Sequence, residues 1–291
     1  MSSDIMPMTE PRPRRQRGQR SGATDAALLF DEPGPRGRIL IAIGSVVAVI
    51  GIAALAAAVL YRLDLAGQLD YPKWRYFLGQ SVVSQLLEAA GTTLTLGGVA
   101  AVLTFPLGIA LGWLRLLDNR PIKWLVGLWI DAMRAVPMLL LVYFFLLVVP
   151  RFATISDFWK LALPIVMCTS ATTAEVFRSG VRALDRGQTE AAWALGMSPS
   201  LTMRLILAPQ ALRLMLPTLI TQMVTIIKGT TLAYVLAYPE LMYRGSTMIG
   251  QAKIDAHLSV FFQTYVIIAL LYIIVNWSLG ALARYIESRT R

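Results

Sequence analysis

Residues 39–60 form a run of 22 residues without a single charge. As a helix rising 1.5 Å per residue, such a run is about 33 Å long, enough to cross the hydrocarbon core of a bilayer. Apolar runs of span length recur at about residues 86–114, 124–149, 158–177, 205–227 and 260–283. The whole chain agrees: of 291 residues 56% are hydrophobic and only 15% charged, and the mean hydropathy is +0.60. A soluble domain of this size rarely has so little charge. The sequence therefore predicts an all-α membrane protein with six transmembrane helices. Arginines ahead of residue 39 raise a signal peptide as a rival. The run is too long for a signal's apolar segment and begins far from the N-terminus, so it reads as an uncleaved span.

The net charge of +10 does not point to nucleic acid, because the basic residues cluster at the ends of apolar runs. That placement is a topology signal. Arg12, Arg14, Arg15, Arg17 and Arg20 precede the first run, Arg115, Arg120 and Lys123 follow the second, and Arg178, Arg182, Arg186 and Arg204 surround residues 187–209. Arg284, Arg289 and Arg291 close the chain. All are expected in the cytoplasm, together with both termini. Residues 61–84 mix Tyr61, Tyr71, Trp74 and Tyr76 with Arg62, Lys73 and Arg75, a composition that suits the outer interface. Residues 1–37, rich in Pro, Arg, Gly and Ser, read as a disordered tail that touches anionic lipid headgroups or merely fixes orientation.

Several chemistries are excluded by counting. Cys168 is the only cysteine and His257 the only histidine, which removes intrachain disulfides, thiolate metal clusters and most zinc sites and hydrolytic triads. No phosphate-cradling Gly-x-x-x-x-Gly-Lys-Ser/Thr loop is present. The chain is expected to be no enzyme, with no catalytic residue, no metal and no bound cofactor.

Within the spans, Gly97, Gly98, Gly108 and Gly112 offer small faces for helix packing, and Pro106 and Pro137 are expected to kink their helices. Asp131 and Arg134, three residues apart, are expected to share a helix face and partly neutralise each other. Residues 229–257 are less apolar and read as an external or partly re-entrant segment. Between the fourth and fifth runs, Glu190, Ala191 and Ala192 open a helix-compatible stretch that Gly196 should stop, since glycine accepts φ > 0. Ser198 ahead of Pro199 suits the start of the next helix. Helix, tight turn, helix is the expectation, whether as a plain surface hairpin or as something built to be touched.

Glu190-Ala191-Ala192, then Gly196, then Ala208-Pro209 resembles the EAA loop of ABC importer permeases. Further matches follow in order: Thr93-Leu94-x-Leu96-Gly97, Gly108-x-x-Leu111-Gly112, Arg134-x-x-Pro137-x-Leu139-Leu140, Ala174-Glu175-x-x-Arg178, and Lys228-Gly229-Thr230-Thr231, where the family has Ser in the place of Thr231. The chain looks similar to polar amino acid permeases over about residues 92–289, in the branch resembling glutamate and glutamine permeases. The resemblance implies a five-helix permease core at residues 85–288 with an added N-terminal helix at 38–62, in a bacterial cell membrane. It implies alternating access driven by separate ABC ATPase subunits that hold the ATP and magnesium. A second permease subunit, identical or homologous, and an extracytoplasmic amino acid-binding protein complete the implied system. Glu190, Ala191, Ala192, Leu195, Gly196 and Pro209 would couple to the ATPase. A charged substrate needs polar partners inside a bilayer, for which Arg134, Gln222, Lys228 and Thr230 are the candidates, each with a purely structural alternative. An ion-gradient-driven secondary amino acid transporter is the alternative reading; no repeat between the two halves supports it.

Overall fold

The computed structural model describes residues 34–290, so most of the basic tail, including the arginines at 12–20, lies outside the described residues. The chain divides into two units, one ending at Leu65 and one beginning at Ala66. The first contains α1 (Pro35–Leu65), whose apolar residues run round its whole circumference. A helix with no polar face belongs in lipid.

The second unit is helical throughout its described residues. After α2 (Tyr71–Arg75) and a 3-10 turn (Tyr76–Leu78) comes the long α3 (Gln80–Leu116), in which Pro106 lies inside one continuous helix. Asn119 caps α4 (Arg120–Ala135) by accepting the Ile122 N–H at 3.2 Å. α5 (Met138–Leu147), α6 (Asp157–Arg182), α7 (Arg186–Ala194) and α8 (Pro199–Thr202) follow. A π turn (Met203–Leu207) joins α8 to α9 (Ala208–Gly229), then a 3-10 turn (Thr230–Leu236), α10 (Leu241–Asp255) and α11 (Phe261–Thr290) complete the unit.

α6 is the centre and packs on α3, α4, α5 and α9. Its closest neighbour is α3, and small residues explain why. A side chain on Gly108 would place Cβ 2.5 Å from Thr173 Cβ, and on Gly112 it would lie 2.7 Å from the Ala174 carbonyl. Helices in lipid gain little from the hydrophobic effect against one another, so close backbone approach and polar contacts must hold them. The Thr104 and Thr169 hydroxyls supply one such contact at 2.8 Å, fully buried at the crossing. Gly98, by contrast, has open space where its side chain would be.

The all-α membrane class holds, and the count of six is approximate. Among the described residues four helices are long and apolar enough to cross a membrane: α1, α3, the continuous rod Pro199–Leu236, and α11. A fifth crossing is a broken pair. The expected kinked span at residues 124–149 is two helices, α4 and α5, bent by 96°. Pro137 has no N–H to continue the ladder and disfavours a helical residue before it; Val136 takes extended geometry (ψ 128°), and the chain breaks there instead of bending. α6 has 26 residues, but its surroundings are protein, which lets it carry Thr169, Ser170, Thr173, Glu175 and Arg178. Residues 229–257, expected outside or re-entrant, fold into α10 against α3 and α11, with Leu241, Met248 and Ala252 fully buried.

Candidate functional site

The hairpin between α6 and α9 is built from local signals. Asp185 Oδ1 accepts the Gly187 N–H at 2.7 Å, so α7 begins at Arg186, four residues before the expected start at Glu190. At the other end Gly196 takes φ +78°, its N–H bonds the Trp193 carbonyl at 2.9 Å, and the Met197 N–H bonds Ala192 at 3.0 Å. These two bonds close a Schellman motif. A Cβ on Gly196 would meet nothing within 4 Å, so the need for glycine is purely conformational. Ser198 Oγ then accepts the Leu201 N–H at 3.4 Å, and Pro199 opens α8. Pro209 lacks the N–H that would continue an α ladder, and the Ala208 N–H instead reaches the Met203 carbonyl five residues back.

The hairpin faces outward while being tied inward. Ala192 is buried, whereas Glu190, Ala191, Gly196 and Pro209 are exposed, with Trp193 56% and Leu195 82% exposed. Beneath them a cavity of about 190 Å³ separates α7 and α8 from the end of α3, with Trp113, Leu116, Thr189, Trp193 and Met203 in its wall. Gln210 Nε2 donates to Gln188 Oε1 at 3.2 Å, linking α9 to α7. α7 is thereby joined to the first turn of α9.

The expected Asp131–Arg134 pairing is not what the structure shows. Asp131 is held by Arg115 of α3, through bonds of 3.2 and 3.1 Å to its two oxygens. Arg115 also contacts Glu175 of α6, which in turn pairs with Arg178 at 3.1 Å. Sequence reasoning read Arg115 only as a loop charge, because its partners lie 16 and 60 residues away. Arg134 has no ion-pair partner among the described residues. It lines an opening of about 460 Å³ with Thr172, Glu175, Ser179, Leu214 and Thr218.

The remaining pathway candidates do not cluster with Arg134. Gln222 is 8% exposed, and its side chain makes no hydrogen bond among the described residues. Thr230 is fully buried and donates to the Ile227 carbonyl at 2.7 Å. Nearby, Glu240 accepts from Tyr272 Oη at 2.7 Å and from the Tyr243 N–H at 2.9 Å, while the Leu241 N–H donates to Thr93 at 3.2 Å. Lys228 is exposed. With it on α9 lies a stripe that sequence reasoning missed: Leu214, Thr218, Thr221, Thr225 and Lys228, all exposed and spaced four, three, four and three residues apart. That spacing puts them on one helix face, and Leu214 and Thr218 also line the Arg134 opening. Among the described residues no group of three His, Cys, Asp or Glu side chains is placed to hold a metal ion.

A family model described as "binding-protein-dependent transport system inner membrane component" matches residues 104–291. The glutamate transport system permease protein GluD of Corynebacterium glutamicum is 34% identical over 230 residues, covering 77% of this chain and 82% of that protein. The probable glutamine ABC transporter permease protein GlnP of Bacillus subtilis is 33% identical over 198 residues, covering 68% and 89%. Among solved structures, an amino acid ABC transporter with histidines superposes with a TM-score of 0.64 at 24% identity, over 72% of this chain and 95% of that one. The inward-facing methionine transporter MetNI gives 0.60 at 14% identity, over 73% and 99%. These two share the fold.

Proposed function

The chain belongs to the inner membrane components of binding-protein-dependent transport systems, and on that premise we propose that it is the permease subunit of an ATP-driven importer of a polar amino acid, with glutamate or glutamine the favoured substrate. The observation that carries the reading is the exposed hairpin, with Trp193 and Leu195 displayed on a turn tied to the start of α9. Exposed apolar groups on a rigid turn suit a protein partner. That partner is the ABC ATPase, which holds the ATP and magnesium. Glu190, Ala191, Ala192, Leu195 and Gly196 form the docking turn, and Pro209 sets the π turn through which α9 follows it. ATPase closure moves α7, and α3 and α9 carry that motion into the bundle as alternating access.

The substrate passes along α9. A helix in lipid does not leave Thr218, Thr221, Thr225 and Lys228 facing hydrocarbon, because polar groups there are costly without partners. A second permease subunit, identical or homologous, covers the stripe and forms the other wall. Arg134 stands at one end of this path and Lys228 at the other, with Gln222 and Thr230 supporting it from the buried side. The hairpin and both termini face the cytoplasm of a bacterial cell, and a binding protein delivers the amino acid from outside. Residues 85–288 form the permease core, 38–62 an added span and 1–37 a cytoplasmic tail.

Gly196→Val and Ala191→Arg test the coupling. Valine resists φ +78°, and arginine obstructs the exposed face of α7. Both variants should reach the membrane and lose substrate-stimulated ATP hydrolysis. Normal stimulation in the assembled Gly196→Val complex would refute the role given to the hairpin.

A further inference from the structure

Opposite its polar stripe, α9 presents a second surface of different character. Leu219, Ile220 and Met223 of α9, Leu279 and Leu282 of α11 and Phe105 of α3 enclose an open cleft of about 400 Å³. Leu216 completes the wall, and every lining residue is apolar. At about 100° per residue, the centre of the cleft face lies about 170° round α9 from the centre of the Thr218–Thr221–Thr225 stripe. The side of the helix that needs a polar or protein partner is therefore not the side that bears the cleft.

The cleft is walled by the middle of α9 and by Leu279 and Leu282 of α11, and its α9 wall begins at Leu216, about two turns after the start of that helix at the hairpin. Apolar cavities of this kind stay dry, and an unfilled one leaves its walls without contacts. Three membrane-length elements, α3, the α9 rod and α11, supply the walls, so the surrounding medium is hydrocarbon. Arg213 lies two turns below Ile220 on the same line of α9, at the hairpin end, exposed and without an acidic partner among the described residues. Its charge stands where a chain entering the cleft would carry its headgroup.

We propose that the α3–α9–α11 cleft is a binding site for one phospholipid, the acyl chain between Met223 and Leu282 and an anionic headgroup on Arg213. The cleft is apolar throughout and open to its surroundings, as a flexible chain requires. The cation lies three residues before the first α9 residue of the wall, Leu216, on the hairpin side, where a lipid phosphate would meet water.

The test is native mass spectrometry of the permease purified from membranes and exchanged into detergent with equal phosphatidylglycerol and phosphatidylethanolamine. The wild type should retain one phospholipid and prefer phosphatidylglycerol. Leu219→Trp, which puts an indole across the cleft wall and obstructs it, should lose it. Arg213→Gln should keep a lipid but lose about fivefold of the preference, the effect of one basic residue near a lipid surface. No retained lipid in the wild type, or retention unchanged in a folded Leu219→Trp protein, would overturn the site. Should Leu219→Trp fail to fold, an unchanged headgroup preference in Arg213→Gln overturns it alone. A disulfide between two copies carrying Leu282→Cys would assign the cleft to a second copy of the chain instead.

Discussion

Arg115 on α3 grips Asp131 on α4 through both guanidinium nitrogens while also holding Glu175 on α6, so one side chain ties three helices together. The two acids are not equivalent: the Asp131 side chain is 59% exposed and that of Glu175 only 20%.

Removing the hub should therefore cost more than removing its exposed partner. Arg115→Met leaves Glu175 with Arg178 alone and should destabilise the protein by about 1–3 kcal/mol. Asp131→Asn should cost about 0–1 kcal/mol, the range of an exposed pair. Thermal unfolding of the purified variants in detergent measures both, and equal shifts would contradict the hub.

The Tyr272–Glu240 bond is a second tie, between α11 and the start of α10. Glu240 is completely buried, and Tyr272→Phe leaves its carboxyl one donor short. A loss of about 1–3 kcal/mol is expected. Tyr71→Phe, at a position 68% exposed, should stay within about 0.5 kcal/mol. The difference in melting temperature between the two variants is the readout.

Arg134 and Lys228 separate pathway from scaffold. Methionine keeps an apolar stem and removes the charge. If the two cations meet substrate, Arg134→Met and Lys228→Met should raise the apparent KM for uptake at least several-fold, with assembly and basal ATP hydrolysis intact. A fall in assembled complex with unchanged affinity would make them structural.

How much of this was legible in the sequence depended on how far each signal reached along the chain. The Gly196 turn and the Ser198–Pro199 start were readable because their hydrogen bonds span only a few residues. The start of α7 was missed by four residues because Asp185, its cap, stood outside the motif that drew attention. The break at Pro137 was not readable: a proline in an apolar run signals a kink and a break alike, and packing against α6 decides between them. Arg115 was misjudged because its partners lie on other helices, and the i,i+3 rule favoured Arg134 for Asp131. The stripe at Thr218, Thr221, Thr225 and Lys228 was missed, although its spacing of three and four residues is a helix-face signal. What the sequence could not supply was that this face of α9 is exposed while Gln222 is buried.

The most direct test of the account is uptake of labelled glutamate and glutamine into membrane vesicles with and without this chain, supplied with ATP and the cognate binding protein. The account predicts uptake that requires the chain and ATP and persists when ionophores collapse the ion gradients. Uptake that proceeds without ATP and disappears with the gradient would contradict it.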